Sequence, residues 1–395
     1  MSEALEGLRC FDRNKITSSK GGAMKYTLCI TQKCNLNCSY CYIGKKNSSM
    51  PLDMAAGVLD FIFERTPPQE NIDIGFFGGE PLLEFDLMKS ITFMIKSHRL
   101  YDAGRVTLSV VTNGTVFSQE IAKFINAQEI EFCVSCDGPP SVQDCYRRFR
   151  DGRRSSAAVE ETIKKAVNAF PTVVVNAVYT PVTVSRLSET VEYFSQLGLK
   201  RLFLSPDYSA TWTKEDIGSL EHVYGEVAGK YVEHYLFGKP LFINIIDNKI
   251  TVILRGGYQQ IERCRMGTGE LAFAPSGNIY PCERLIGEDD GSTHCIGNMG
   301  KGMDLGRMSC HTMPGGEVNA ECTECGIRDY CMNWCGCSNY FSSGYYNRVS
   351  SFLCASEQMA VKTAFGVFQE LERELGGVFI EHLSGRPYAN VFVQK

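Results

Sequence analysis

Three cysteines, Cys34, Cys38 and Cys41, fall within eight residues at C-x3-C-x2-C spacing, directly after the apolar run from Tyr26 to Ile30. An iron–sulfur cubane normally takes four thiolates. A loop that offers three leaves one iron without a protein ligand, and that iron can bind and activate another molecule, as the open position of a catalytic metal site does. Two competing readings are a half zinc site, which paired cysteines often form, and plain packing of small hydrophobes. Zinc wants four ligands, however, and the nearest histidine is His98.

The pattern recurs at the other end of the chain. Cys264 is followed by twelve residues, Gly277, four residues and Cys282; then come Cys322-x2-Cys325-x5-Cys331-x3-Cys335 and finally Cys354. Such pairs also suit one or two zinc sites. The chain has 18 cysteines in 395 residues. Its N-terminus, Met1 to Glu6, carries neither a basic segment nor an apolar one of the secretory kind. Metal binding or chemistry in a reducing, cytoplasmic setting is therefore expected ahead of disulfides.

Tyr40 sits just before the third cysteine, and the loop then resembles the C-x3-C-x-aromatic-C signature of radical S-adenosylmethionine (SAM) enzymes. The resemblance implies a [4Fe–4S] cluster on Cys34, Cys38 and Cys41, whose open iron chelates SAM, with Tyr40 against adenine. Phe77-Gly78-Gly79-Glu80-Pro81 is similar to that family's GGE motif, which holds the SAM amino group. By itself it is a strand-to-helix turn with bare backbone. Asn113, in Thr112-Asn113-Gly114, looks like the cofactor-contact turn, although Asn-Gly is common turn currency. Ser135, in Ser135-Cys136-Asp137-Gly138-Pro139, and Arg147 complete the expected SAM contacts, Arg147 as a carboxylate clamp. Gln143 stands where many relatives have histidine.

The seven C-terminal cysteines match the SPASM pattern, which holds two auxiliary [4Fe–4S] clusters. The family pairing assigns Cys322, Cys325, Cys331 and Cys354 to one, and Cys264, Cys282 and Cys335 to the other. For the fourth position of the latter, either Cys295, Cys310 or Cys337 serves, or one iron stays open to a soft substrate thiolate. Cys10, Cys29, Cys133, Cys136 and Cys145 are left as packing residues. Glu283, directly after Cys282, stands where sulfatase-maturating relatives carry a catalytic aspartate and is the candidate general base.

SPASM proteins act mostly on peptides or proteins. The resemblance implies a peptide maturase that forms a thioether, carbon–carbon or related cross-link in a ribosomal peptide. The alternatives are a sulfatase-maturating enzyme making formylglycine and, in a different class, a non-catalytic iron–sulfur electron carrier. Phe77 resembles the peptide maturases, since sulfatase-maturating enzymes usually have glutamine there. A low-potential donor of flavodoxin or ferredoxin type is expected. With the cluster loop starting at Cys34, leader recognition is expected from a separate protein or from the barrel surface.

These residues need a scaffold that gathers strand ends. Short β-branched runs (Tyr26–Thr31, Ile72–Phe77, Val106–Thr112, Glu131–Ser135, Thr172–Tyr179, Arg201–Leu204) alternate with amphipathic stretches (Asp53–Glu64, Phe85–His98, Gln119–Ala127, Ser156–Ala169, Val184–Leu197). Six such alternations imply an α/β fold with a parallel sheet, and the resemblance makes it a partial (β/α)6 TIM-like barrel with chemistry at the C-terminal strand ends. The expected division is 1–24 as an N-terminal extension, 25–235 as the barrel, 236–260 as a linker or bridging helix, 261–356 as the cysteine-rich domain and 357–395 as a C-terminal helix and tail. A formal net charge of −5 argues against broad nucleic-acid binding. No apolar run reaches the length of a membrane span.

Overall fold

The computed structural model describes residues 23–259, 262–312, 319–332 and 334–385. Cys10 and the side chain of Cys310 lie outside the described residues. Eleven strands form one sheet. Its parallel part is β1 (Met24–Thr31), β2 (Ile72–Gly78), β3 (Val106–Thr112), β4 (Ile130–Ser135), β5 (Val173–Tyr179), β6 (Arg201–Pro206) and β7 (Phe242–Ile243), each paired to the next. On the other side of β1 lie β8 (Glu270–Phe273), parallel to it, and then the antiparallel β9 (Asn278–Tyr280), β10 (Gly297–Asn298) and β11 (Gly302–Met303). The order β11-β10-β9-β8-β1-β2-β3-β4-β5-β6-β7 leaves β7 and β11 as edges, so among the described residues the barrel is open.

Between the strands run α1 (Leu52–Arg65), α2 (Phe85–Ser97), α3 (Gln119–Gln128), α4 (Pro140–Tyr146), α5 (Ser156–Ala169), α6 (Leu187–Gln196) and α7 (Lys214–Leu236). Successive strand side chains point to opposite faces, and the sequence exploits this. Tyr26, Leu28 and Ile30, Ile74 and Phe76, and Leu108 and Val110 are buried in the main apolar core. Their alternates, Thr27, Asp73, Gly75 and Ser109, line a cavity on the other face. Burying the first set is worth roughly 1.5–3 kcal/mol per large side chain; the second set is left free for chemistry.

Expected and observed boundaries agree within about two residues for most of the barrel. Segment 236–260, expected as a linker or bridging helix, holds a helix, α8 (Asn244–Arg255), and also the unexpected β7, so the parallel sheet gains a seventh strand. A two-residue strand is too short to show a period of two. The C-terminal helix, here α11, starts at Ser351 (Ser351–Leu375), which places Cys354 in its first turn and packs the helix on α7 and α8. Before it lie α9 (Leu305–Thr312) and α10 (Gly336–Ser343), and after it α12 (Gly377–Gly385). Gly277 has φ +82° in the β8–β9 hairpin, the left-handed region that favours glycine. No helix among the described residues is long and apolar enough to cross a membrane.

Candidate active site

The β1–β2 register shifts between Cys29 and Thr31, immediately before the three-cysteine loop. Irregularities of this kind re-aim the chain at strand ends. Three sets of hydrogen bonds then hold the loop. Thr31 Oγ1 donates to Ser48 O at 2.8 Å, and Gln32 Nε2 donates to Gly44 O at 3.1 Å, closing the loop on itself. Asn37 N donates to Arg148 O at 2.7 Å and Arg150 N to Asn35 O at 3.0 Å, laying the loop along residues 146–150. Gly79 N donates to Thr31 O and Glu80 N to Lys33 O, both at 2.8 Å.

The glycine pair thus serves the loop as well as the cavity it borders. A Cβ at Gly79 would stand 2.2 Å from Lys33 O, and one at Gly78, where φ is +142°, 2.0 Å from Thr31 O. Neither contact is tolerable, so only glycine lets the β2 end pass beneath the loop.

Cys34, Cys38 and Cys41 are free thiols at one end of a cavity of about 410 Å³. That volume is within the range of small-molecule sites. Burial pushes the Cys34 thiol up, and the neighbouring charges of Glu80, Cys38 and Cys41 push it further. Cys38 is raised first by burial, with Cys41 adding to it against the pull of Arg147. Gathering three thiolates here is costly unless a cation binds them, and the donor set suits iron or another thiophilic metal. Asn113 Nδ2 lies 3.7 Å from Cys34 Sγ and donates to Asn35 Oδ1 at 2.9 Å, tying the β3 end to the loop.

Tyr40, Gly78, Gly79, Asn113, Ser135 and Arg147 all border the cavity. Tyr40 Oη donates to Asp137 Oδ2 at 2.5 Å and accepts from Arg147 Nη1 at 2.8 Å. Burial raises the Asp137 carboxyl against the pull of Arg147. Val178 N donates to Asp137 Oδ1 at 3.1 Å. The unexpected Gln143 is fully buried: its Oε1 accepts from Asp137 N at 2.8 Å and its Nε2 donates to Ser155 Oγ at 3.1 Å. Its role is to brace Asp137.

Glu80 and Pro81 are buried behind the cavity. Glu80 accepts from Leu82 N at 2.9 Å, Thr112 Oγ1 at 2.8 Å and Asn113 N at 2.6 Å. Burial nonetheless pushes its carboxyl up to about 7. Glu80→Gln would set an amide N–H₂ against the Asn113 N–H. Leaving that buried donor unpaired should cost about 1–3 kcal/mol. Denaturant unfolding under anoxic conditions checks this, and an unchanged midpoint would refute the role of Glu80 as the tie between the β2 and β3 ends.

Arg147 Nε, Asn176 Oδ1 and Arg284 Nε are buried without a protein partner, and all three residues line the cavity. Buried polar atoms are rarely left unpaired, so these mark where a polar ligand such as SAM, or a substrate, fits. Asn176, Asp137 and Arg284 were not singled out from the sequence. Asn176 was visible as one polar residue inside the apolar β5 run.

The cysteine-rich region also lines the cavity, through Glu283, Arg284 and Phe341. Phe77 stacks on Tyr42 with ring centroids 6.2 Å apart, and Phe341 lies 6.5 Å from Tyr42. Lys25 Nζ is 3.0 Å from Glu270 Oε1 and 3.2 Å from Glu283 Oε2. Burial pushes Glu270 up to about 8. For Glu283 burial opposes the charge, yet Lys25, a hydrogen bond from Glu270 and Arg284 together bring the carboxyl down to about 2. A carboxylate held so low is a weak proton acceptor.

Cys264, Cys282, Cys335 and Cys337 come together in one packed group. Cys322 lies close enough to Cys325 and Cys354 for each to act on its charge. Cys331 and Cys325 pack at the edge of the main core. All are free thiols, a donor set that fits iron–sulfur ligation. Cys295 lies apart from them, beside Cys29 and Ile43.

Residues 28–194 match the model of the Radical SAM superfamily. An uncharacterized protein of Methanocaldococcus jannaschii, MJ0907, is 27% identical over 70% of this chain and 89% of its own. The radical SAM cyclopropyl synthase TigE of Paramaledivibacter caminithermalis is 24% identical over 84% of this chain and 72% of its own. A cysteine-type anaerobic sulfatase-maturating enzyme of Clostridium perfringens is 23% identical over 64% and 72%. Among solved structures, anSMEcpe with bound AdoMet superposes with a TM-score of 0.74 at 18% identity, covering 89% of this chain and 99% of that one. Streptococcus suis SuiB bound to precursor peptide SuiA gives 0.56 at 15%, covering 89% and 79%. With the family model on the strands that carry the cavity, this protein carries a radical SAM domain over residues 28–194, in a chain similar along most of its length to radical SAM enzymes.

Proposed function

We propose that this chain is a peptide maturase of the SPASM type, which oxidatively cross-links or otherwise modifies a ribosomally made peptide. The observation that carries the reading is the shared cavity: Cys34, Cys38 and Cys41 line it together with Glu283, Arg284 and Phe341 from the second cysteine region. Three [4Fe–4S] clusters are proposed, on Cys34/Cys38/Cys41, on Cys322/Cys325/Cys331/Cys354, and on the group containing Cys264, Cys282 and Cys335. Peptide complexes of SuiB and of anSMEcpe among the structural neighbours support a peptide substrate. A [4Fe–4S] cluster held by Cys34, Cys38 and Cys41, with SAM and an electron from a low-potential donor, would supply radical chemistry able to remove a hydrogen atom from the substrate.

The chain's own residues do the rest. Tyr40, at the border of the cavity, is tethered at its hydroxyl by Asp137 and Arg147. Asn176 Oδ1 and Arg147 Nε offer an acceptor and a donor to the ligand. Tyr42, Phe77 and Phe341 make an apolar wall that keeps water from the reacting carbon. Glu283, charged and bound by Lys25, sets the field at the substrate end; as a general base it would first have to be released from that ammonium.

A second reading, oxidation of a sulfatase cysteine or serine to formylglycine, is favoured by the likeness to anSMEcpe along 99% of that chain. Mass spectrometry separates the two. Reconstituted protein with dithionite and SAM should remove H₂ from a precursor peptide encoded beside its gene, leaving an intramolecular cross-link. Conversion of a sulfatase-motif peptide to the aldehyde, with no change in the precursor, would overturn the first reading.

A further inference from the structure

We propose that Cys337 is the fourth thiolate of the auxiliary cluster held by Cys264, Cys282 and Cys335, so that this cluster has no iron open to substrate. The inference rests on the reading above, that the second cysteine region holds iron–sulfur clusters, and it adds the ligand that the C-x3-C spacing alone leaves undecided.

Cys337 Sγ lies 3.5 Å from Cys335 Sγ and is in hydrogen-bond contact with Cys282, while Cys335 is in contact with Cys264. The four sulfurs are thus linked in a chain, with no disulfide among them. They are enclosed by Met266 and Leu285, with Tyr340 and Tyr346 at the margin. Four buried polarisable sulfurs facing one another, with an apolar surround, are poorly explained by packing; they suit a soft metal centre.

Local structure also favours this pair. Cys335 is the N-cap of α10 and Cys337 lies in its first turn. Backbone N–H groups at a helix start favour negative charge, including that of a thiolate or an anionic cluster. Ser338 Oγ donates to Cys335 Sγ at 3.3 Å, a bond of the kind that orients a ligand sulfur. On binding, the Cys337 thiol gives its proton to solvent and its sulfur takes the remaining coordination position of one iron.

Of the other two cysteine candidates, the Cys310 side chain lies outside the described residues, and Cys295 is placed elsewhere. Cys295 donates to Gly297 O at 3.0 Å and packs beside Cys29, Ile43 and Tyr280. Glu270 and Glu283 have carboxylate oxygens within 4.8 Å of Cys282 Sγ, but both are committed to Lys25. A consequence follows for the cavity. Phe341 is four residues beyond Cys337, on the same face of α10, so a bond at Cys337 fixes the helix whose Phe341 ring forms part of the substrate wall.

The test uses the full chain with Cys34, Cys38 and Cys41 replaced by alanine, which confines iron to the auxiliary sites. Reconstituted anoxically, it should bind about 8 iron per chain, and ¹³C-cyanide, a ligand for an open iron, should give no ¹³C coupling in the reduced protein by electron–nuclear double resonance. Adding Cys337→Ala should either create that coupling or lower the iron to about 4 per chain; adding Cys295→Ala in its place should do neither. Cys337→Ser, which retains an oxygen ligand, should keep more iron than Cys337→Ala and shift the cluster's resonance. The proposal is overturned if cyanide couples while Cys337 is intact, or if Cys337→Ala changes neither iron content nor spectrum. Iron near zero in the parent variant would overturn the auxiliary-cluster reading itself, a result distinct from either.

Discussion

Replacing Cys34, Cys38 and Cys41 together by alanine is expected to abolish SAM cleavage outright while leaving the fold intact. The thiols are half-buried or exposed, on a loop held by backbone hydrogen bonds that alanine preserves. None of the three belongs to the main apolar core, so truncation should leave stability nearly unchanged. Iron, in contrast, should drop from about 12 to about 8 per chain. Formation of 5′-deoxyadenosine on reduction with SAM should fall below detection, since uncatalysed cleavage offers no comparable route. A variant that kept turnover would show that the loop is not the site of SAM activation.

Lys25→Met is expected to be among the most destabilising single changes in the chain. Lys25 lies at the start of β1 beneath the cavity, between the carboxylates of Glu270 and Glu283, and the three side chains are only 9–18% exposed. Removing one partner from a buried ionic group leaves uncompensated charge and typically costs about 3–5 kcal/mol. The pH dependence carries a sign. Glu283 is held at about 2, below the ordinary carboxylate range. Its contribution to stability is therefore present above that range and lost as pH falls through about 2. Glu270, pushed up to about 8, keeps its proton at neutral pH and hydrogen-bonds Glu283, so without the ammonium Glu283 is a buried carboxylate that has lost its nearest cation, and it rises. The deficit of the variant should be largest near neutral pH and should shrink as pH falls below about 4.5, where Glu283 takes up a proton. Denaturant unfolding of wild type and variant across pH 3–8 measures this; a deficit independent of pH would show that Lys25 acts by packing instead.

The sequence displayed the barrel strands well because strands covered on both faces leave short, nearly continuous apolar and β-branched runs: Tyr26 to Thr31 is buried throughout. The cysteine groupings were legible in spacing and in the family resemblance, and the structure brings Cys34, Cys38 and Cys41 to one cavity and Cys264, Cys282, Cys335 and Cys337 to one packed group. What the sequence hid was tertiary. Nothing in Phe242–Ile243 announces a strand, since two residues carry no periodicity and pairing with β6 decides the matter. Glu80 sits in a motif suggestive of ligand contact, yet its carboxylate is turned inward to Thr112 and Asn113, 32 and 33 residues away in sequence. Lys25 and Glu270 meet across 245 residues. Only the parallel pairing of β8 with β1, in which Lys25 opposes Glu270, brings them together. Cys337 was one of three candidates by sequence, and the turn into α10 is what brings it to Cys282.

The central claim is that the Cys34–Cys38–Cys41 loop holds a cubane with one iron left for SAM. Electron paramagnetic resonance of the anoxically reduced protein tests it most directly, with the proposed auxiliary ligands Cys264, Cys282, Cys322, Cys325, Cys331, Cys335, Cys337 and Cys354 replaced by alanine so that only one cluster contributes. The account predicts a single [4Fe–4S]⁺ signal that shifts when SAM is added and acquires coupling from ¹⁷O-carboxylate-labelled SAM. A signal that SAM leaves unchanged, or the absence of any iron–sulfur signal, would contradict it.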